Sequence, residues 1–472
     1  MSGLFGVVSR TNCIDTLYYG TDYQSHLGTE FGGLAVQGDR LHRAIHRIAR
    51  GQFKNLFDSF HRDYAGNMGV GVISDSDPQP IVLGGRHGTS TLVTSGLVTN
   101  SRKLADRLMA EGITFSEIEN GELNQTELVA KLIAQGEDIV GGIEHVFEEI
   151  EGSLSLLIMN DRGIYAACDR AGRVPLSIGT GRGMVAAASE TCAFPNLDLK
   201  VKRHLQPGEI VSFDATGMQE RVEPTEQGRI CSFMWIYTGY PASVYEGISA
   251  EAVREHCGQA LARKDEGMEF DLASGVPDSG TGHAVGYAME SGKPFRRPLV
   301  KYTAGYGRSY IPPSQEVRDQ IARMKLIPIT DVIEGNRLVV CEDSIVRGTQ
   351  LKNLTVRKLW DAGAAEIHVR VACPPLMFPC RYMLSTRSKE ELAAHRAIRD
   401  LEGGKVEDIS PYLEAGTEEY EAMVEWIRRD INCTSLKYLT LEEMKEAIGL
   451  PPEQLCTHCW SGGCGECDER EG

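Results

Sequence analysis

Residues 338–350 read LVVCEDSIVRGTQ. The apolar run Leu338-Val339-Val340 ends in adjacent carboxylates, Glu342 and Asp343, and a short loop of mostly small residues then leads into a helical pattern starting near Gln350. Strands that alternate with helices build a parallel sheet, whose ligands bind beyond the carboxyl ends of the strands. The acid pair falls at such an end. Backbone amides at the start of the next helix have no intrahelical partner and make a cradle for phosphate. Carboxylates repel phosphate, but they accept sugar hydroxyls or hold a Mg2+ that carries a second phosphate group. The plainer reading is a β–loop–α junction capped by Asp343 and Ser344.

The surrounding text extends the alternation. FDLASGV, the helix GHAVGYAMESG, PLVKYT, a polar loop, the helix SQEVRDQIARMK, RLVVCEDS, the helix TQLKNLTVRKLWDAG and EIHVRVACPP follow one another between about 232 and 385. This predicts an α/β domain with a parallel sheet. From 2 to 225 the texture differs. Short apolar runs such as LFGVV, GGLAV, MGVGVIS, SLSLLIMN and GEIVSFD are separated by Gly, Asn and Asp turns, with a helical pattern at 124–135. This predicts an α+β domain of two antiparallel sheets with helices. Residues 220–233 are polar and connect the two, and 386–472 form a charged, mostly helical tail.

The chain has 472 residues, 42% of them hydrophobic, and a formal net charge of −17. The acidic balance argues against nucleic acid or an anionic membrane as partner, while leaving room for a local basic pocket. No apolar run approaches the ~20 residues that span a bilayer, and the start MSGLFGVVSR lacks the pattern of a secretory signal, so a cytoplasmic location is expected. Thirteen cysteines are spread over the chain, and Cys456, Cys459, Cys464 and Cys467 crowd its end. That distribution suits cytosolic thiols or metal ligands rather than a disulfide framework.

One loop for a phosphate and one acid pair for a diol or metal describe a ligand with a sugar between two charged ends, as in phosphoribosyl pyrophosphate. The stretch CEDSIVRGT resembles the phosphoribosyl-pyrophosphate loop of type I phosphoribosyltransferases. GVPDSGTGHAVGYAMESG (275–292), GRSYIPPSQEVRDQIARMKL (307–326) and HVRVACPP (368–375) narrow the resemblance to the glutamine phosphoribosylpyrophosphate amidotransferase family. EGSLSLL (151–157), DRAGRVPLSIG (169–179), ASETCAF (188–194) and LQPGEIV (205–211) extend it through the N-terminal half.

The resemblance implies an Ntn-hydrolase-like αββα glutaminase domain over 2–225 and a phosphoribosyltransferase domain over 232–385. It implies transfer of ammonia to C1 of phosphoribosyl pyrophosphate with release of pyrophosphate, the opening step of purine synthesis. Ser279, Glu342 and Asp343 would serve Mg2+ and the ribose. Ser344 and Ile345, Val346, Arg347, Gly348 and Thr349 would line the 5-phosphate cradle. Lys301 and Arg308 would lie on the loop that closes over pyrophosphate, and Asp278 would also bind the substrate. Where the family has another Arg in that closing loop, this chain offers Thr303, in a stretch one residue longer. Homo-oligomers, dimeric or tetrameric, are the family's habit.

The N-terminal half departs from the family. The nucleophilic Cys of a C-G-I-x-G start is Ser2 here, in SGLFG. H-R-G-Q reads His26-Leu27-Gly28-Thr29, the Arg that grips the glutamine carboxylate falls on Ser74, the oxyanion Asn on Ser95, and the Asp that holds the substrate amine on Gln125. A hydroxyl is a poorer nucleophile than a thiol, and a carboxylate buried without its Arg loses a strong bidentate pair. The expectation is a site that does not hydrolyse glutamine, or does so very slowly. A subfamily that holds glutamine differently and an engineered Cys replacement at Ser2 are the alternatives.

Some family members hold a [4Fe–4S] cluster, and the matching thiols here are Cys231, Cys380, Cys456 and Cys459. The rival is a zinc site of Cys456, Cys459, Cys464 and Cys467. The leading functional reading is therefore an amidophosphoribosyltransferase that uses ammonia or glutamine. A phosphoribosyltransferase with another nucleophile, and a non-catalytic paralogue that binds phosphoribosyl pyrophosphate or nucleotides, are the other readings.

Overall fold

The structure, a computed structural model, describes all residues except 1, 50, 87, 120, 226–227, 303–325, 384–387, 405, 407 and 464–472. The chain forms two compact units: Met1–Cys231 with Ala242–Gly247 and Arg381–Ser385, and Ser232–Pro241 with Ile248–Cys380 and Thr386–Gly472.

The first unit holds two antiparallel sheets. One is built from β1 (Gly3–Ser9), β2 (Phe31–Gln37), β3 (Leu41–Arg47), β4 (Met68–Ser74) and three later strands, with β1 between β4 and Met184–Ala188. The other runs through β5 (Ile81–Gly85), β6 (Gly88–Val98), β7 (Gly152–Asn160), β8 (Gly163–Cys168) and two more strands. Leu4, Val8, Val70 and Val72 of the first sheet pack with Val93, Leu157, Met159 and Ile164 of the second, so the sheets lie face to face. Helices cover both outer faces. Leu17 and Tyr18 of α1 (Ile14–Asp22) and Phe53 and Phe57 of α2 (Phe53–Asp63) pack with Phe5, Val7 and Leu34. Helices α3 (Ser101–Ala110), α4 (Gln125–Ile133) and α5 (Ile139–Glu149) bury Leu104, Leu128 and Ile143 against Leu92, Leu154 and Leu156. This is the αββα sandwich. Its central strands are buried on both faces, which is why GLFGVVS and MGVGVIS read as unbroken apolar runs instead of alternating.

In the second unit β9 (Leu272–Gly275), β10 (Arg337–Glu342), β11 (Glu366–Val371) and β12 (Ser435–Tyr438) form a parallel sheet in that spatial order. β10 is an inner strand, paired Gly275↔Cys341 on one side and Glu342↔Val371 on the other. Helices α6 (Ala250–Arg263) and α7 (Thr281–Ser291) pack against one another, and α7 carries the chain away from β9. Residues 386–472, which read as a helical tail, contribute α8 (Ala393–Leu401), α9 (Glu418–Ile431) and the capping-boxed helix Leu441–Ile448, but also the fourth strand of the sheet, β12. A four-residue strand flanked by helices leaves too short an apolar run to separate from them by periodicity. The helix expected over SQEVRDQIARMK lies outside the described residues.

Candidate active site at the carboxyl edge of the parallel sheet

Two loops meet at this edge. After β9 the chain turns through Val276–Gly280 into α7. After β10 it turns through Asp343–Gly348 and becomes helical from Thr349, with π-type turns over Leu351–Val356 before Arg357–Asp361. The loops are tightly apposed. A Cβ on Gly280 would lie 2.0 Å from the Cys341 carbonyl oxygen, so only glycine lets them approach. Gly348 has φ +74, the left-handed turn that aims the chain into the helix.

That approach places Ser279 against the acid pair. Ser279 Oγ donates to Glu342 Oε1 at 2.5 Å, the Asp343 N–H donates to the same oxygen at 3.2 Å, and Ser344 Oγ donates to Asp343 Oδ2 at 2.7 Å. Both carboxyl groups are buried, Glu342 at 8% exposure and Asp343 at 4%. Burial, followed by the adjacent Asp343 carboxyl, pushes Glu342 well above the usual carboxylate range. A buried pair for which full ionisation is costly suits a divalent cation bearing phosphates, or ribose hydroxyls, which stabilise the ionised form. The residues present fit Mg2+ bound with a phosphorylated sugar.

Lys301, at the end of Leu299–Lys301, donates to Asp278 Oδ2 at 3.0 Å, and both are exposed. Ile345 is buried, Val346 accepts the Ala393 N–H through its carbonyl at 2.7 Å, and Arg347 Nε donates to Glu391 Oε2 at 3.1 Å. Arg396 holds the Arg347 carbonyl at 2.6 Å. The loop at 345–349 is thus braced by α8 and the turn before it. Sequence reading missed these braces, because partners 44 and 49 residues downstream leave no local pattern. Arg308 and Thr303 lie outside the described residues.

The Ser2 region belongs to the first unit. Ser2 is buried, its Oγ donates to Ser74 Oγ at 3.4 Å, and Ser95 Oγ donates to the Ser2 carbonyl at 2.5 Å. Ser74 Oγ also accepts the N–H groups of Ser76 and Asp77, at 3.3 and 3.2 Å. Asp77, pushed up to about 6 by burial, accepts the Gln125 N–H at 3.1 Å. Gln125 Oε1 in turn accepts the Val98 N–H at 3.1 Å. Among the described residues the hydrogen-bond partners of the Ser2, Ser74, Ser95 and Gln125 side chains are hydroxyls and backbone groups, with no cation among them. His26 instead pairs with the buried Glu190, Nε2 to Oε2 at 3.0 Å, and Glu190 also accepts the hydroxyls of Ser243 at 2.9 Å and Tyr245 at 2.8 Å. Burial alone would raise Glu190, but the His26 hydrogen bond and charge outweigh it and hold the group below its ordinary value. The stretch ASETCAF drew attention to this segment, yet nothing in it showed that Glu190 anchors 242–247.

The cysteine expectation fares differently. Cys231 lies in the first unit and Cys380, Cys456 and Cys459 in the second, and none of the four forms a disulfide with another described cysteine. Among the described residues no group of three or more His, Cys, Asp or Glu side chains is arranged to hold a metal ion. Cys464 and Cys467 lie outside the described residues. Among the described residues no helix is long and apolar enough to cross a membrane.

Comparison with known proteins agrees with this architecture. A family profile described as "Glutamine amidotransferase domain" matches residues 67–196. Amidophosphoribosyltransferase of Mycobacterium tuberculosis is 33% identical over 477 residues, covering 98% of this chain and 85% of that protein. The Bacillus subtilis enzyme of the same name is 31% identical, covering 98% and 93%. The solved structure of glutamine phosphoribosylpyrophosphate amidotransferase from B. subtilis, complexed with ADP and GMP, superposes with a TM-score of 0.83 at 29% identity, over 98% of this chain and 96% of that one. With a relative at this identity spanning nearly its whole length, an αββα unit and a parallel-sheet unit ending in a buried acid pair, the chain belongs to the amidophosphoribosyltransferase family.

Proposed function

We propose that this chain forms 5-phosphoribosylamine from phosphoribosyl pyrophosphate and ammonia, and that its N-terminal site does not supply that ammonia from glutamine. The observation that carries the first half is the buried Glu342–Asp343 pair held by Ser279 beside the loop at 345–349. The ribose hydroxyls donate to the two carboxylates, and the free N–H groups of the loop receive the 5-phosphate. Lys301 leaves Asp278 for the pyrophosphate, whose growing negative charge it stabilises as the C1–O bond breaks. The nitrogen lone pair of ammonia forms the new C1–N bond, and the surplus proton is lost from the product amine. Bound Mg2+ would supply charge neutralisation at the leaving pyrophosphate. Most of the acceleration then comes from positioning and electrostatics, since the developing cation at C1 needs no covalent help.

The second half rests on the neutral and acidic surroundings of Ser2. A glutamine α-carboxylate brought beside Ser74 and Asp77 would meet no guanidinium, and an acyl oxyanion near Ser95 would lack the amide donor of an Asn. A cluster ligated by Cys231, Cys380, Cys456 and Cys459 remains a proposal carried by sequence resemblance, and no step passes through it. Absorbance at about 400 nm in the purified protein tests it. Oligomer formation and a cytoplasmic location are likewise proposals, the first tested by light scattering.

The deciding experiment is a turnover assay with ammonium or glutamine as sole nitrogen donor. Pyrophosphate release with ammonium but not glutamine is the expected result. Release with neither, despite tight binding of phosphoribosyl pyrophosphate, would favour a non-catalytic binder.

A further inference from the structure

Two successive carbonyls of the loop at 345–349 are held from α8. The Ala393 N–H at the start of that helix donates to the Val346 carbonyl at 2.7 Å, and Nη2 of Arg396 donates to the Arg347 carbonyl at 2.6 Å. Both peptides are trans, since the cis bonds among the described residues fall at Gln79-Pro80 and Pro277-Asp278. In a trans peptide the N–H points opposite to the C=O. The Arg347 and Gly348 N–H groups therefore face away from α8, and among the described residues neither has a hydrogen-bond partner. We propose that Arg396 is a positioning residue for the 5-phosphate: by fixing the Arg347 carbonyl it turns the Gly348 N–H toward the ligand. This role rests on the proposed reading of the loop as the 5-phosphate cradle.

The peptide between Arg347 and Gly348 needs such a hold. Gly348 sits at φ +74, and glycine loses more conformational freedom on ordering than any other residue. Left to itself, this peptide would sample orientations in which its N–H misses the phosphate. The Arg347 side chain adds an ion pair with Glu391, but both groups are largely exposed, and such pairs contribute little. A charged donor on the carbonyl is about twice as strong as a neutral one. Arg396 is itself held. Asp430 Oδ2 of α9 lies 3.5 Å from its guanidinium, which stands 5.9 Å from the centre of the Trp426 ring. Asp430 Oδ1 accepts Lys352 Nζ at 2.8 Å, from the helical segment that follows the loop.

The guanidinium is thus committed to Asp430 and to the Arg347 carbonyl, so Arg396 acts through the peptide and not as a cation for the ligand. Its effect should be confined to one end of the sugar. The groups proposed for the other end, Asp278, Ser279 and Lys301, belong to the turn after β9 and to Leu299–Lys301, and none of them bonds to Arg396.

The test titrates the full-length chain by calorimetry with ribose 5-phosphate and, separately, with pyrophosphate in the presence of Mg2+. Arg396→Gln leaves Asp430 paired with Lys352, and its fold is checked by thermal unfolding. The variant is expected to weaken ribose 5-phosphate binding about tenfold or more, through loss of a charged hydrogen bond, and to change pyrophosphate binding by less than about twofold. Arg396→Lys keeps a cationic donor without the planar fork and is expected to recover part of the loss. Unchanged ribose 5-phosphate affinity in Arg396→Gln, equal weakening of both ligands, or no recovery in Arg396→Lys overturns the role. Failure of the underlying reading looks different: the unaltered chain then binds no ribose 5-phosphate, which overturns the cradle and the role together. No arm needs turnover, so absence of the proposed reaction leaves the result readable.

Discussion

Ser279 and Glu342, 63 residues apart in sequence, share a 2.5 Å hydrogen bond at the carboxyl edge of the parallel sheet. The bond ties the turn after β9 to the end of β10 and orients the carboxylate that would receive the ribose. Replacing Ser279 by Ala removes a hydrogen bond to a buried acid, worth about 1.5–3 kcal/mol when the acid is charged. The affinity for phosphoribosyl pyrophosphate is expected to fall about tenfold or more, measured by calorimetry, with the melting temperature little changed while Glu342 takes up a proton in compensation.

Glu342 itself carries a stability signature opposite to its functional one. Its folded-state value is raised above that of the unfolded chain, so ionisation opposes folding, and the penalty grows as pH rises above the ordinary 4.5. Glu342→Gln is therefore expected to stabilise the ligand-free protein at neutral pH by about 1–2 kcal/mol while abolishing measurable binding of the sugar. A variant that binds normally would remove the acid pair from the site.

The same shift links binding to pH. A Mg2+-bearing ligand favours the ionised pair, so binding releases a proton wherever Glu342 is still protonated in the free protein. Affinity is expected to fall as pH drops through that raised value. Calorimetry in two buffers of different ionisation enthalpy reads the proton directly, and identical apparent enthalpies would contradict the coupling.

In the first unit, Ser2→Cys alone is expected to give no rapid glutamate release, because Ser74, Ser95 and Gln125 leave the α-carboxylate and the oxyanion without their donors. Rapid glutaminase activity in that variant would show that the site holds glutamine by other groups.

Glu190 makes a stability test of opposite sign to Glu342. Its folded-state value is lowered, so its contribution is complete above the ordinary 4.5 and is lost as pH falls below it. Glu190→Gln is expected to destabilise the first unit by about 2–4 kcal/mol at neutral pH, by breaking the buried contacts to His26, Ser243 and Tyr245. The difference from the unaltered chain should shrink in denaturant melts run at progressively lower pH.

Much of this was legible in the residues themselves. LVVCEDSIVRGT encodes its own junction, because an apolar run, two acids and a glycine that adopts positive φ are local properties of the chain. The same holds for the split into an antiparallel and a parallel unit, since period-2 and period-3.6 patterns arise within single elements. Four-residue β12 escaped, its pattern too short to register. Tertiary structure alone decided which side chains meet. Ser279 reaches Glu342, Glu391 and Arg396 brace Arg347, and Glu190 anchors Ser243 and Tyr245 across dozens of residues, through packing that no local window contains.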